Sequence, residues 1–172
     1  GLAVDNDLRW RIVTRLAASG QIGPDEIAAE LASDATAAGE EKATTARAAL
    51  PLPDTKADAW AQILGRVEAP NAIQIAAAIG FIQPEQSAVL EPYVDAYFDS
   101  IADFFGRASA TAGLIVSQLV YPRHRIEQST LDRTDAFLAD PELPPVLARQ
   151  GLECQAWVAR ALRARACDAA AG

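Results

Sequence analysis

Alanine fills 38 of the 172 positions, and no other feature restricts the fold as much. Alanine is the best helix former and the smallest side chain with a Cβ. A chain built this way forms helices that approach one another closely, with a thin core. Short apolar-polar alternation is absent, and no Asn-Gly or Asp-Gly hairpin signal occurs, so no strand is expected.

Proline and glycine cut the chain into helical pieces. Asp5-Asn6-Asp7 supplies a cap before Leu8, Ile12, Val13 and Leu16, and Gly20 ends that run. Gly23-Pro24 opens a second helix bearing Ile27 and Leu31. A third runs from about Thr36 to Leu50, alanine-lined, and stops at Pro51 and Pro53. Asp54 is expected to cap a fourth with Trp60, Ile63, Leu64 and Val67 on its apolar side. Pro70-Asn71 begins a fifth with Ile73, Ala76, Ala77 and Gly80 on one face, and Gln83-Pro84 a longer sixth. The sixth carries Leu90, Val94, Tyr97, Phe98, Ile101 and Phe105, and Pro92 predicts a kink or break inside it. A seventh spans about Ser109 to Val120, Ser129-Thr130-Leu131-Asp132 reads as a capping box for an eighth, and Pro144-Pro145 starts the last. About nine helices with short connections predict an all-α fold of antiparallel pairs. The alanine-rich contact faces favour an α-solenoid over a wide-cored bundle.

Charge and motifs narrow the function. The net charge is −8, against a nucleic-acid interface, and no apolar run spans a bilayer. Gly1 to Trp10 lacks a basic start and an apolar stretch, so no signal peptide is expected there. Methionine is absent, which predicts an excised or processed piece of a longer protein. Cys154 and Cys167 share one helical stretch about 20 Å apart, too far for a disulfide. Free thiols suit a reducing cytoplasm.

Catalytic constellations are missing from the pattern. A His-Glu zinc peptidase motif needs two histidines one turn apart, and the chain has one, His124. No Gly-x-Ser-x-Gly elbow, P-loop or Gly-x-Gly-x-x-Gly occurs. His124 is expected in a loop or at the surface, Cys154 in the core. Two charge groupings stand out. Glu91, Asp95, Asp99 and Asp103 recur every four residues, forming a solvated outer face, a surface docked against arginines of an adjacent helix or domain, or, least favoured because a straight row does not wrap an ion, a metal site. Arg160, Arg163 and Arg165 crowd the last helix, complementing its dipole or presenting guanidinium forks to a carboxylate.

Longer segments carry a resemblance. They are Gly1-Leu2-Ala3-Val4-Asp5-Asn6-Asp7-Leu8-Arg9-Trp10, Asp34-Ala35-Thr36-Ala37-Ala38-Gly39 and Ala57-Asp58-Ala59-Trp60. Pro70-Asn71-Ala72 leading to Gly80-Phe81-Ile82-Gln83-Pro84-Glu85-Gln86, and Tyr93-Val94-Asp95-Ala96-Tyr97-Phe98, complete the set. The chain resembles the C-terminal helical domain of actinobacterial aminopeptidase N, a gluzincin zinc metallopeptidase. The domain type is similar to that of the endoplasmic-reticulum aminopeptidases that trim antigenic peptides.

The resemblance implies an α–α superhelix of HEAT- or armadillo-like pairs spanning residues 1–172, a fragment without the catalytic domain. It implies a non-enzymatic segment that closes the active-site cavity and gates peptide entry or length. It also implies zinc held in the parent's catalytic domain, with no cofactor or metal in this segment. The partners implied are that catalytic domain and peptide substrates, in the cytoplasm, without nucleic acid or membrane. Arg160 and Arg163 are the candidate substrate contacts, and no catalytic residue transfers. Arg9 and Trp10 form a recognisable pair that packing and a surface ion pair would equally explain. The alternative is a stand-alone helical-repeat interaction module.

Overall fold

A computed structural model describes residues 5–65 and 69–171. Among them are ten α-helices, one 3₁₀ turn and no strand. The helices are α1 (Asn6–Ala18), α2 (Pro24–Ser33), α3 (Ala37–Ala49), α4 (Pro53–Ile63) and α5 (Asn71–Phe81). After the 3₁₀ turn Pro84–Gln86 come α6 (Ser87–Leu90), α7 (Pro92–Arg107), α8 (Ala110–Leu119), α9 (Gln128–Leu138) and α10 (Pro145–Ala171). Ten replaces the expected nine because the sixth helix breaks at Pro92. Its ring and missing N–H forbid a continuous turn, so α7 starts afresh there. Val67, and Gly1 to Val4 of the first resembling segment, lie outside the described residues.

The helix starts follow their local chemistry. The Asp5 carboxylate accepts from the Leu8 amide at 2.8 Å, and the Thr36 hydroxyl accepts from the Gly39 amide at 2.9 Å. Ser109 does the same for α8, and Glu26 reaches back to the Gly23 amide at 2.9 Å. Two expected caps fall elsewhere. Leu52 precedes α4, so Asp54 lies inside the first turn, where its charge meets the dipole without capping. α9 begins before Ser129, with Glu127 at the cap position. Buried Thr130 donates to the Arg125 carbonyl at 2.8 Å and draws the helix start back toward that loop.

The chain divides into two compact units, Gly1–Leu90 and Glu91–Gly172. In the first, α3 lies at the centre, touching α1, α2, α4 and α5. Its buried side is Gly39, Ala43, Thr44, Ala46, Ala48 and Ala49, small enough for close approach. Trp10, Ala17, Ile27, Ala43, Ala46 and Leu50 form one core cluster, with Val13, Ile22 and Leu31 against it. Trp60 stacks near Phe81, centroids 5.3 Å apart.

The ends of the odd helices are tied together. The Gln86 amide donates to the carbonyls of Ala18 (2.7 Å) and Ala49 (2.8 Å). The Lys56 amine donates to Ala48 (2.7 Å) and Phe81 (2.8 Å). The C-termini of α1, α3 and α5 therefore gather at one end, so these helices run in the same direction as one layer. α2 and α4 carry the chain back between them. This is the connectivity of stacked helical pairs.

In the second unit, α7 touches α8 and α9, and α10 touches the same two. Four helices close around an aromatic centre of Tyr97, Phe98, Tyr121 and Phe137, with centroids 5.1–6.4 Å apart. Its polar tips are satisfied: Tyr97 donates to the Ser117 carbonyl at 3.1 Å, and Tyr121 pairs with Thr134 at 2.8 Å.

Candidate functional site

A groove of about 580 Å³ opens on the first unit. α1 contributes Trp10, Arg11, Thr14 and Arg15, α3 contributes Lys42 and Thr45, and Gln83 follows α5. Trp10 is buried because its indole N–H has a partner, the Asp34 carboxylate at 2.9 Å. That bond, with one from the Thr36 hydroxyl at 3.0 Å, holds the Asp34 pKa below its ordinary value. Arg9 pairs with Glu30 at 2.8 Å. Arg9 and Trp10 thus combine a surface ion pair with packing.

The groove's charges sit on its rim. Lys42 is bonded to Asp7, which raises the lysine pKa, and Arg15 lies 3.8 Å from Glu85. Asp7 also lines the groove, so its polar groups are one carboxylate, one lysine amine, two arginines, the Gln83 amide and the hydroxyls of Thr14 and Thr45. Among the described residues, no three His, Cys, Asp or Glu side chains converge to hold an ion.

Arg160 and Arg163 are exposed on α10, in the second unit. Neither is in an ion pair with an acidic side chain among the described residues. Arg165 is anchored instead, donating to the Ile126 carbonyl at 3.1 Å.

The acidic row is a solvated face, of which Glu91 and Asp95 alone meet arginines from outside α7, Arg107 being on the same helix as Asp103. All four side chains are exposed, yet Glu91 pairs with Arg125 at 2.9 Å, Asp95 with Arg133, and Asp103 with Arg107 at 2.8 Å. Exposed pairs of this kind contribute about 0.2–1 kcal/mol each, enough to offset repulsion along the row. His124 lies in the loop after α8 and is partly buried. Cys154 is partly buried beside Tyr121, Arg123 and Trp157, and burial raises its pKa, away from nucleophilic use. Cys167 is exposed, and both thiols are free.

Lys56 escaped the sequence reading. It is fully buried, donates to two helix ends and lies 5.2 Å from the Phe81 ring centre. Burial lowers its pKa from 10.5 to about 7. A signal was present: Lys56, Trp60 and Ile63 share one helical face, and the chain otherwise prefers arginine.

Residues 1–156 match the family described as ERAP1-like C-terminal domain. Over 171 residues the chain is 46% identical to Aminopeptidase N of Streptomyces lividans, covering 99% of this chain and 20% of that protein. The chain thus spans about a fifth of the curated relative's length.

Proposed function

Since the chain belongs to the ERAP1-like C-terminal domain family, we propose that it serves as the non-catalytic C-terminal part of an aminopeptidase N. In this reading the parent removes N-terminal residues from peptides, and this part closes the cavity and limits which peptides enter, and how long they are. The observation that carries it is the match itself: nearly the whole chain aligns with one fifth of a curated aminopeptidase.

The parent's zinc does not fit here. A catalytic zinc needs three converging protein ligands, and the described residues offer no such group. The ion belongs in this reading to the catalytic domain of the same polypeptide, which is also the segment's partner. No helix among the described residues is long and apolar enough to cross a membrane. The proposed setting is the cytoplasm, where the free thiols Cys154 and Cys167 would persist.

Arg160 and Arg163 are the proposed contacts for the far carboxylate of a long peptide, since guanidinium forks match carboxylates and both side chains are exposed. The test uses a chimera in which this chain replaces the matching part of the Streptomyces lividans enzyme. Arg160→Ala with Arg163→Ala should raise KM for long peptides about tenfold, one lost charge-assisted contact, and leave single-residue aminoacyl reporters unchanged. Equal effects on both substrate classes, or none on either, would remove these arginines from the proposal.

A further inference from the structure

A second groove, of about 360 Å³, opens on the first unit. α3 and α4 supply most of its lining, and Pro24 at the start of α2 adds to it. Helical spacing builds both walls. Glu40, Thr44 and Ala48 stand four residues apart and share one face of α3, as Asp58 and Gln62 share one face of α4. Ala48 and Ala59 are buried and small, so the two helices leave space between their side chains.

Thr44 is 5% exposed and lines this space. Its neighbour Thr45 donates its hydroxyl to the Glu41 and Ala76 carbonyls, at 3.1 and 2.9 Å. The Thr44 hydroxyl enters no hydrogen bond among the described residues. Buried hydroxyls are normally bonded, because an unmet one has lost water without gaining a partner. On the wall of a groove, such a group points to a ligand.

Charge selects that ligand. Arg47, on the α3 wall, is held by Glu40 at 3.0 Å. Asp58 is exposed and in no ion pair among the described residues. Asp54 stands one turn before it, and Asp25 and Glu26 follow Pro24. An anion would be repelled by these carboxylates. A neutral apolar ligand would strip water from Asp58 and leave Thr44 unmet.

We infer that this groove binds a primary alkylammonium group, the chemistry of a lysine side chain in a peptide and of a free linear diamine. The three N–H of the ammonium match three acceptors: the Asp58 carboxylate, the Thr44 hydroxyl and the Gln62 side-chain carbonyl. The alkyl stem covers Ala48 and Ala59. This site is separate from the carboxylate contact proposed for Arg160 and Arg163, and it holds whether or not the segment gates a peptidase.

The experiment titrates the 172-residue chain with three probes and follows backbone amide shifts by NMR. The probes are an acetylated, amidated Ala-Lys-Ala peptide, the same peptide with norleucine for lysine, and cadaverine. Shifts should centre on Thr44, Asp58 and Gln62. The lysine peptide should bind about tenfold tighter than the norleucine peptide, the factor for one charge-assisted contact. Asp58→Asn should weaken lysine-peptide binding about tenfold, whereas Asp99→Asn, which removes the same charge from the second unit, should not change it. Thr44→Val keeps the side-chain shape and should weaken binding by about threefold or more. Should that buried variant fail to fold, exposed Asp58 still decides the matter. Equal affinity for the two peptides would overturn the inference. So would shifts centred elsewhere, no saturable shift with either amine, or Asp58→Asn behaving like Asp99→Asn. Cadaverine binding as tightly as the lysine peptide would make a free diamine a sufficient occupant. Binding about tenfold weaker would make a peptide lysine the occupant, and either result upholds the ammonium site.

Discussion

Lys56 concentrates the physics of this fold in one side chain. It is buried, pairs with no carboxylate among the described residues, and holds the ends of α3 and α5 through the Ala48 and Phe81 carbonyls. Those helix ends carry partial negative charge, and the Phe81 ring adds its face. Desolvation still dominates and lowers the pKa from 10.5 to about 7. The sign follows. Between pH 7 and 10.5 the unfolded chain holds a proton here that the folded chain has released, so stability rises with pH across that window. Below pH 7 both states are charged, and the cost of burial is complete and constant. Denaturant titrations should show the wild type gaining about 1.4 kcal/mol per pH unit over Lys56→Met between pH 7 and 10, with parallel curves below 7. Parallel curves throughout would show the amine stays charged in the fold. The residue was legible only in part. Its place on the Trp60–Ile63 face was written in the spacing, whereas its two carbonyl partners come from other helices, α3 before it and α5 after it, which only packing brings together.

Helices α3 and α5 pack backbone against backbone. A Cβ on Gly80 would lie 2.0 Å from the Thr45 carbonyl oxygen, inside any tolerable contact. The Thr45 hydroxyl donates to the Ala76 carbonyl at 2.9 Å and locks the spacing. Gly80→Ala should therefore destabilise by about 3 kcal/mol or more, since neither helix can give way without losing the layer. Gly106 is the contrast, a helical glycine in α7 whose added Cβ would meet nothing within 4 Å. Gly106→Ala should stabilise by about 0.4–1 kcal/mol. Thermal unfolding of both variants checks the pair, and similar Tm changes would mean the α3–α5 spacing is not fixed by Gly80.

Element positions were largely readable because capping and proline chemistry are local: Asp5, Thr36, Ser109 and Pro92 each act within a few residues. Asp54 and Ser129 misled for the opposite reason. At Leu52–Pro53 the proline sets the start of α4, and at α9 buried Thr130 and its Arg125 partner do so. Inner and outer faces were harder to read. On α1, spacing alone could not show that Trp10 has a buried acceptor and that Leu8 and Ile12 do not face this core.

At the scale of the molecule, the all-α class and the family were both legible, through alanine content, punctuation and the Gly80–Gln86 and Tyr93–Phe98 segments. Division into two compact units at Leu90–Glu91 was not, although Pro92 marked the break in the helix there. The candidate site was the least legible part. A binding surface carries no spacing rule comparable to a zinc or nucleophile motif, so Arg160 and Arg163 could be named only as guanidiniums near a helix end. The central claim is that this segment governs access to a catalytic centre that lies elsewhere. It is tested most directly by measuring kcat/KM against peptide length for the Streptomyces lividans enzyme, for that enzyme without its matching fifth, and for the chimera. The 172-residue chain is assayed alone beside them with added zinc. The account predicts no hydrolysis by the chain alone, a length preference lost on truncation, and its return in the chimera. Hydrolysis by the chain alone, or a length profile that ignores the truncation, would contradict it.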